Sequence, residues 1–98
     1  MNIEVKAVGF AIRDEEREII DKKIERFQKS AEHLTDLIFT FTKEGAGIKA
    51  EAVINFKGGP RGHLEEFDHD LRTALDKLVD KAQVKITKEK EKSTEKRF

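Results

Sequence analysis

The side chains of this 98-residue chain that could do chemistry are lysines and arginines at helical spacing. On a predicted helix over residues 14 to 34, basic side chains fall on one flank and acidic ones on the other at about 100° per residue. A second predicted helix, from 70 to about 90, carries lysines along one flank. Sorted cations can bind a polyanion, because each one that neutralises a phosphate releases a counterion. The basic flanks comprise Lys22, Lys23, Arg26 and Lys29 in the first helix, and Lys77, Lys81, Lys85, Lys88 and Lys92 in the second.

The acidic flank of the first helix points to a different partner. Its members are Asp14, Glu18, Asp21, Glu25 and Glu32. Across the whole chain, twenty basic and twenty acidic residues cancel, which argues against an indiscriminate nucleic-acid coat and leaves local surfaces as the candidates.

Metal binding and catalysis are weakly supported. His63, Asp68, His69 and Asp70 cluster in sequence, but carboxylates at a helix start are ordinary caps and no repeated ligand spacing accompanies them. No cysteine is present, and no nucleophile, base and oxyanion donor can be assembled. We therefore expect no enzyme activity, no metal, no cofactor and no small-molecule substrate.

The elements that must position the two flanks follow from apolar periodicity. Residues 2 to 8, 37 to 42 and 48 to 56 predict strands, and residues 61 to 67 a weaker fourth one. Turns are predicted at Gly45-Ala46-Gly47 and at Gly58-Gly59-Pro60, and Asp14 and then Asp68 or Asp70 are predicted to cap the helices. The order β-α-β-β-β-α indicates a single α+β domain with two layers, in which two roughly parallel helices pack on one face of a four-stranded sheet. The basic flanks would then lie side by side.

The core and the limits of the domain are also predicted. Ile20, Ile24, Phe27, Ala31 and Leu34 form one apolar stripe of the first helix. We expect the domain to span residues 1 to 90 and residues 91 to 98 to form a charged, disordered tail. No secretory or membrane-spanning pattern is present, so a cytoplasmic protein is expected.

An ordered set of residues resembles the short form of the ribosome hibernation promoting factors, also called ribosome-associated inhibitor or sigma-54 modulation proteins. In the first helix the set runs from Ile12 through Arg17 to His33-Leu34. In the second half it comprises Gly58-Gly59, Asp70, Thr73-Ala74-Leu75-Asp76 and Leu78-Val79-Asp80-Lys81. The resemblance covers about residues 2 to 92.

The resemblance implies a factor that binds the small ribosomal subunit in the mRNA and tRNA channel and inhibits translation in stress or stationary phase. It implies contacts with ribosomal RNA through Arg17, Lys23, Arg26 and Lys29, and through Lys81, Lys88 and Lys92. We expect the protein to be monomeric off the ribosome. This chain departs from the family pattern at Ser30, Arg72 and Val84, where an aromatic, a tyrosine and a basic residue are usual.

Two other classes of function remain open. Helices packed over a small sheet can also read A-form RNA by shape, as a double-stranded-RNA-type module does. Alternatively, the acidic flank of the first helix could make the protein an interaction adaptor for a basic partner protein.

Overall fold

The strands and helices of the computed structural model follow the predicted order, with one added segment. The structure describes the backbone of residues 1–95 and the side chains of residues 1–89. The elements are β1 (Asn2–Val8), α1 (Asp14–Glu25), a 3-10 segment (Arg26–His33), β2 (Leu34–Glu44), β3 (Gly47–Phe56), β4 (Arg61–Asp68) and α2 (Leu71–Glu95).

The four strands form one sheet in the order β1-β2-β3-β4. β1 runs parallel to β2, with α1 and the 3-10 segment as the crossover, and the other two pairs are antiparallel hairpins. Gly45 and Gly58 take positive φ angles of 55° and 60° in the two hairpin turns, a conformation that costs glycine little. The α+β fold with both helices on one face of the sheet is confirmed.

The core lies between the helices and the helix-facing rows of β2 and β3. Phe39 and Phe41 of β2 are fully buried, and Ala50 and Ala52 of β3 leave room for the helices above them. Phe27 stacks on Phe39 with ring centroids 6.3 Å apart. The helices contribute further large buried side chains, which are Ile20, Ile24, Leu71, Leu75, Leu78, Val79 and Ile86.

The predicted first helix over residues 14 to 34 is too long. The α-helix ends at Glu25, and Leu34 belongs to β2, where it pairs with Phe56 of β3. A 3-10 helix rises about 2.0 Å per residue against 1.5 Å for an α-helix, so the 3-10 segment spans the gap between helix and strand with the same residues. The stripe changes with it, because Ser30 is buried while Ala31 is only half-buried.

The start of α1 differs from the prediction, whereas the start of α2 agrees with it. Arg13 rather than Asp14 is the N-cap residue of α1, and its backbone N–H donates to the carboxylate of Glu16 at 3.0 Å. In α2, Asp70 is the cap, because its carboxylate accepts from the backbone N–H of Thr73 at 3.2 Å.

The C-terminal part extends further as a helix than the sequence pattern indicates. The backbone of α2 is helical through Glu95, beyond the end expected near residue 90. A disordered tail is predicted for residues 91 to 98. The side chains of these residues and the backbone of residues 96 to 98 lie outside the described residues, so the tail stays a prediction. Among residues 1–95, no helix has both the length and the apolar composition that crossing a bilayer requires.

Candidate nucleic-acid interface

The basic residues of the first helical region lie on two different kinds of helix. Lys22 and Lys23 occupy the last turn of α1, where cations interact favourably with the helix dipole. Arg26 and Lys29 lie in the 3-10 segment, in which residues three apart eclipse one another. The structure therefore brings Arg26 and Lys29 into one row, and Glu32 joins this row instead of the acidic flank of the α-helical prediction.

Lys23 connects the two helices. Its Nζ lies 2.9 Å from Oδ1 of Asp76 in α2, and both side chains remain partly exposed. The basic flank of α1 therefore faces α2, and one of its cations is already paired with a carboxylate of the neighbouring helix.

Arg17 lies apart from the other candidate cations. Its Nε donates to Oδ1 of Asp21 at 3.0 Å, one helical turn further on. Asp21 belongs to the acidic flank, so Arg17 does not lie with Lys22, Arg26 and Lys29.

The lysine flank of α2, defined as Lys77, Lys81, Lys85 and Lys88, lies over β4. Lys77 Nζ is 3.0 Å from the carboxylate of Asp68, and Lys81 pairs with Glu66. The stem of Lys85 packs over Gly62, and a Cβ atom added to this glycine would lie 3.3 Å from Lys85 Cε. The side chain of Lys92, the last predicted member of this flank, lies outside the described residues.

The two basic flanks are not adjacent, in contrast to the expected arrangement. Lys23 reaches α2 on its Asp76 side, whereas Lys77 and Lys81, about 100° and 140° further round the same helix, reach β4. The diameter of a helix with its side chains is about 10–12 Å, so α2 itself separates the flanks.

Apart from Arg17, which pairs with Asp21, ion pairing divides the candidate cations with described side chains into two groups. Within the described part of the chain, no carboxylate lies within 4 Å of the first group, which consists of Lys22, Arg26, Lys29 and Lys88. The second group is paired with Asp76, Asp68, Glu66 and Glu89, and it consists of Lys23, Lys77, Lys81 and Lys85.

Asp68 is held in place from two sides. The backbone N–H of Asp70 donates to Oδ1 of Asp68 at 3.1 Å, and Lys77 donates to Oδ2. The Asp70 bond first, and Lys77 second, lower the pKa of Asp68 below its ordinary value of 3.8. Asp68 is therefore a persistent anion beside the lysine flank at neutral pH.

A shallow apolar groove lies within the lysine flank. It has a volume of about 390 Å³, and Val84, one of its lining residues, is 54% exposed. This is the position at which the family pattern usually has a basic residue, so the flank contains an apolar gap. The groove is lined by Leu64, Asp80, Lys81, Val84, Lys85 and Lys88.

The histidines and aspartates that cluster in sequence have separate partners in space. His63 Nε2 lies 3.0 Å from Glu51, and the ring of His69 meets the ring of Phe67 edge-on at 5.8 Å. Asp68 binds Lys77 and Asp70 caps α2, as described above. In the portion that the structure describes, no three His, Cys, Asp or Glu side chains come together as metal ligands.

Sequence reasoning missed the carboxylates that lie against the cations. Glu66 and Asp68 alternate with outward residues along β4, and this period of two places both on the helix-facing side with Leu64. The alternation along β4 could be predicted from the sequence. Which residues of α2 lie above β4 could not.

A four-stranded sheet covered on one face by two helices, with exposed cations on both helices, defines a two-layer α+β domain suited to contact a polyanion. The chain belongs to the family described as Sigma 54 modulation protein / S30EA ribosomal protein, whose family model matches residues 3–94.

Solved structures share the fold. A ribosomal subunit interface protein from Coxiella burnetii superposes with a TM-score of 0.81 at 21% identity, covering 92% of this chain and 98% of that one. The N-terminal domain of Protein Y from Thermus thermophilus gives 0.76 at 26% identity, covering 90% and 98%. No curated protein sequence matches the chain.

Proposed function

We propose that this protein is a ribosome hibernation factor that binds the small ribosomal subunit and inhibits translation. Membership of the S30EA family supports association with the ribosome. The observation that carries the proposal beyond membership is the row of Arg26 and Lys29, two exposed cations without a carboxylate partner in the described chain.

The binding chemistry follows from these cations. Exposed lysines and arginines neutralise phosphates and release counterions, which gives affinity without base recognition. Ribosomal RNA is the phosphate-rich surface of the subunit, so the helical layer is the side of the domain that docks. The open face of the sheet, where Lys49 is balanced by Glu65 at 3.2 Å, is less suited to this role.

The inhibition is steric. The domain is an elongated wedge of about 49 × 22 × 17 Å. Held by phosphate contacts in the channel for mRNA and tRNA, such a wedge would exclude both ligands without a catalytic step. This mechanism requires no cofactor, and a monomer in the cytoplasm suffices.

Charge reversal of the exposed cations tests the proposal. The variant carries Arg26→Glu, Lys29→Glu, Lys81→Glu and Lys88→Glu. We expect it to lose co-sedimentation with purified small subunits while its circular dichroism spectrum and melting temperature stay close to those of the wild type.

The matched control reverses four exposed cations outside the helices, which are Lys6, Lys43, Lys57 and Arg61. It changes the net charge equally and should retain binding. Equal loss in both variants would reduce the effect to net charge, and undiminished binding of the first variant would contradict the proposal. Tight binding of isolated duplex RNA, equal to that of whole subunits, would instead favour a double-stranded-RNA-type module.

A further inference from the structure

The lysine flank of α2 is occupied by carboxylates of β4. Lys77 lies 3.0 Å from Asp68, and Lys81 pairs with Glu66 and also donates to the backbone oxygen of Glu65 at 3.2 Å. These contacts join a helix to a strand, so they depend on the tertiary fold and not on local spacing in one helix.

The carboxylates lie beneath the lysines. The side chains of Asp68 and Glu66 are 25% and 21% exposed, whereas those of Lys77 and Lys81 are 47% and 51% exposed. Asp68 is further fixed by the backbone N–H of Asp70. An approaching phosphate therefore meets the lysines from outside, while each lysine is already held from below.

We propose that Glu66 and Asp68 regulate the affinity of the RNA interface, because they occupy Lys81 and Lys77 and phosphates must displace them before these two lysines can bind RNA. This inference rests on the proposed function, and it concerns how RNA binding at the same site is regulated. A sparse or flexible polyanion contacts the free cations and gains little from the occupied lysines. A rigid RNA surface engages many cations at once and can exchange both carboxylates.

The size of the effect follows from the exposure of the pairs. Exposed ion pairs contribute modestly, so removing two of them should strengthen binding to small subunits, which must displace both carboxylates, by about three- to tenfold. Binding to non-specific single-stranded RNA should strengthen by no more than this factor, because a sparse polyanion leaves both pairs intact in the wild type and does not bear the full cost of breaking them. The ratio of the two affinities should therefore not fall.

The test compares Glu66→Gln/Asp68→Asn with the control Glu4→Gln/Glu44→Gln, which removes two exposed strand carboxylates that have no ion-pair partner in the described chain. Affinity is measured for a random single-stranded RNA and for small subunits at the same salt. A larger gain on small subunits in the first variant than in the control supports the inference, and an equal gain in both variants overturns it.

A double-mutant cycle assigns the gain to the lysines. Adding Lys77→Gln/Lys81→Gln to the first variant should abolish the gain, and persistence of the gain would overturn the inference. Single-stranded RNA reports on the carboxylates without ribosomes. Failure of the wild type to co-sediment with subunits would refute the proposed function, and it remains distinguishable from failure of this test.

Discussion

The salt dependence of subunit binding distinguishes how many of the candidate cations contact phosphate. Besides Arg17, which pairs with Asp21, the candidate cations with described side chains comprise a free group of four that have no described carboxylate within 4 Å and a group of four that are paired with other carboxylates. Each phosphate contact contributes about −0.7 to −0.9 to the slope of log affinity against log salt. If all the members of both groups bind phosphate, the expected slope is about −6 to −7. If only the free group binds, it is about −3 to −4.

These slopes predict very different losses of affinity. Between 50 and 200 mM salt, contact by both groups weakens binding by roughly 10³ to 10⁴, and contact by the free group alone by roughly 10². We expect the steeper slope, because a rigid RNA surface displaces the carboxylates. The assay is equilibrium sedimentation or filter binding of labelled protein with small subunits across a salt series at constant Mg²⁺.

Single substitutions test which cations contribute to the slope of log affinity against log salt. Lys88→Gln and Lys77→Gln should each reduce the magnitude of the slope by about 1, and Lys6→Gln, on β1, should leave it unchanged. A wild-type slope of about −3 to −4 would contradict displacement of the carboxylates, and a slope shallower than about −2 would also refute phosphate binding by all four free cations.

Three further predictions concern stability and pH. Phe27→Ala should cost about 3–5 kcal/mol, since the fully buried ring packs on Phe39, and urea unfolding followed by circular dichroism measures it. Asp70→Ala should cost about 1 kcal/mol through loss of the cap of α2, with Asp70→Asn as the conservative control in the same assay. Asp68 and Glu16 have pKa values below their ordinary 3.8 and 4.5, so their stabilisation is full above those values and is lost as pH falls through the lowered ones. The melting temperature should therefore be insensitive to these groups from pH 7 to 5 and should fall below about pH 4, and a decline centred at pH 6 would contradict this assignment.

Much of the fold was predictable from periodicity. Apolar residues alternate along β3, and Leu71, Leu75 and Leu78 follow the spacing of an α-helix. Each pattern is visible within a short stretch of sequence and predicts its element without knowledge of the rest of the fold. The end of α1 was not predictable in this way. Residues 26 to 33 fit a helical pattern. The next residue, Leu34, nevertheless belongs to the sheet, because it pairs with Phe56 of β3.

The sequence by itself determined the lysine flank of α2, because residues three or four apart in a helix share a flank wherever the helix packs. Tertiary structure alone decided which of these lysines are available to a partner. The packing of α2 over β4 placed Asp68 and Glu66 against Lys77 and Lys81, and the packing of α1 beside α2 placed Asp76 against Lys23. Local spacing sets the direction of a side chain along its own element, whereas its charge partner depends on how two elements distant in sequence are aligned.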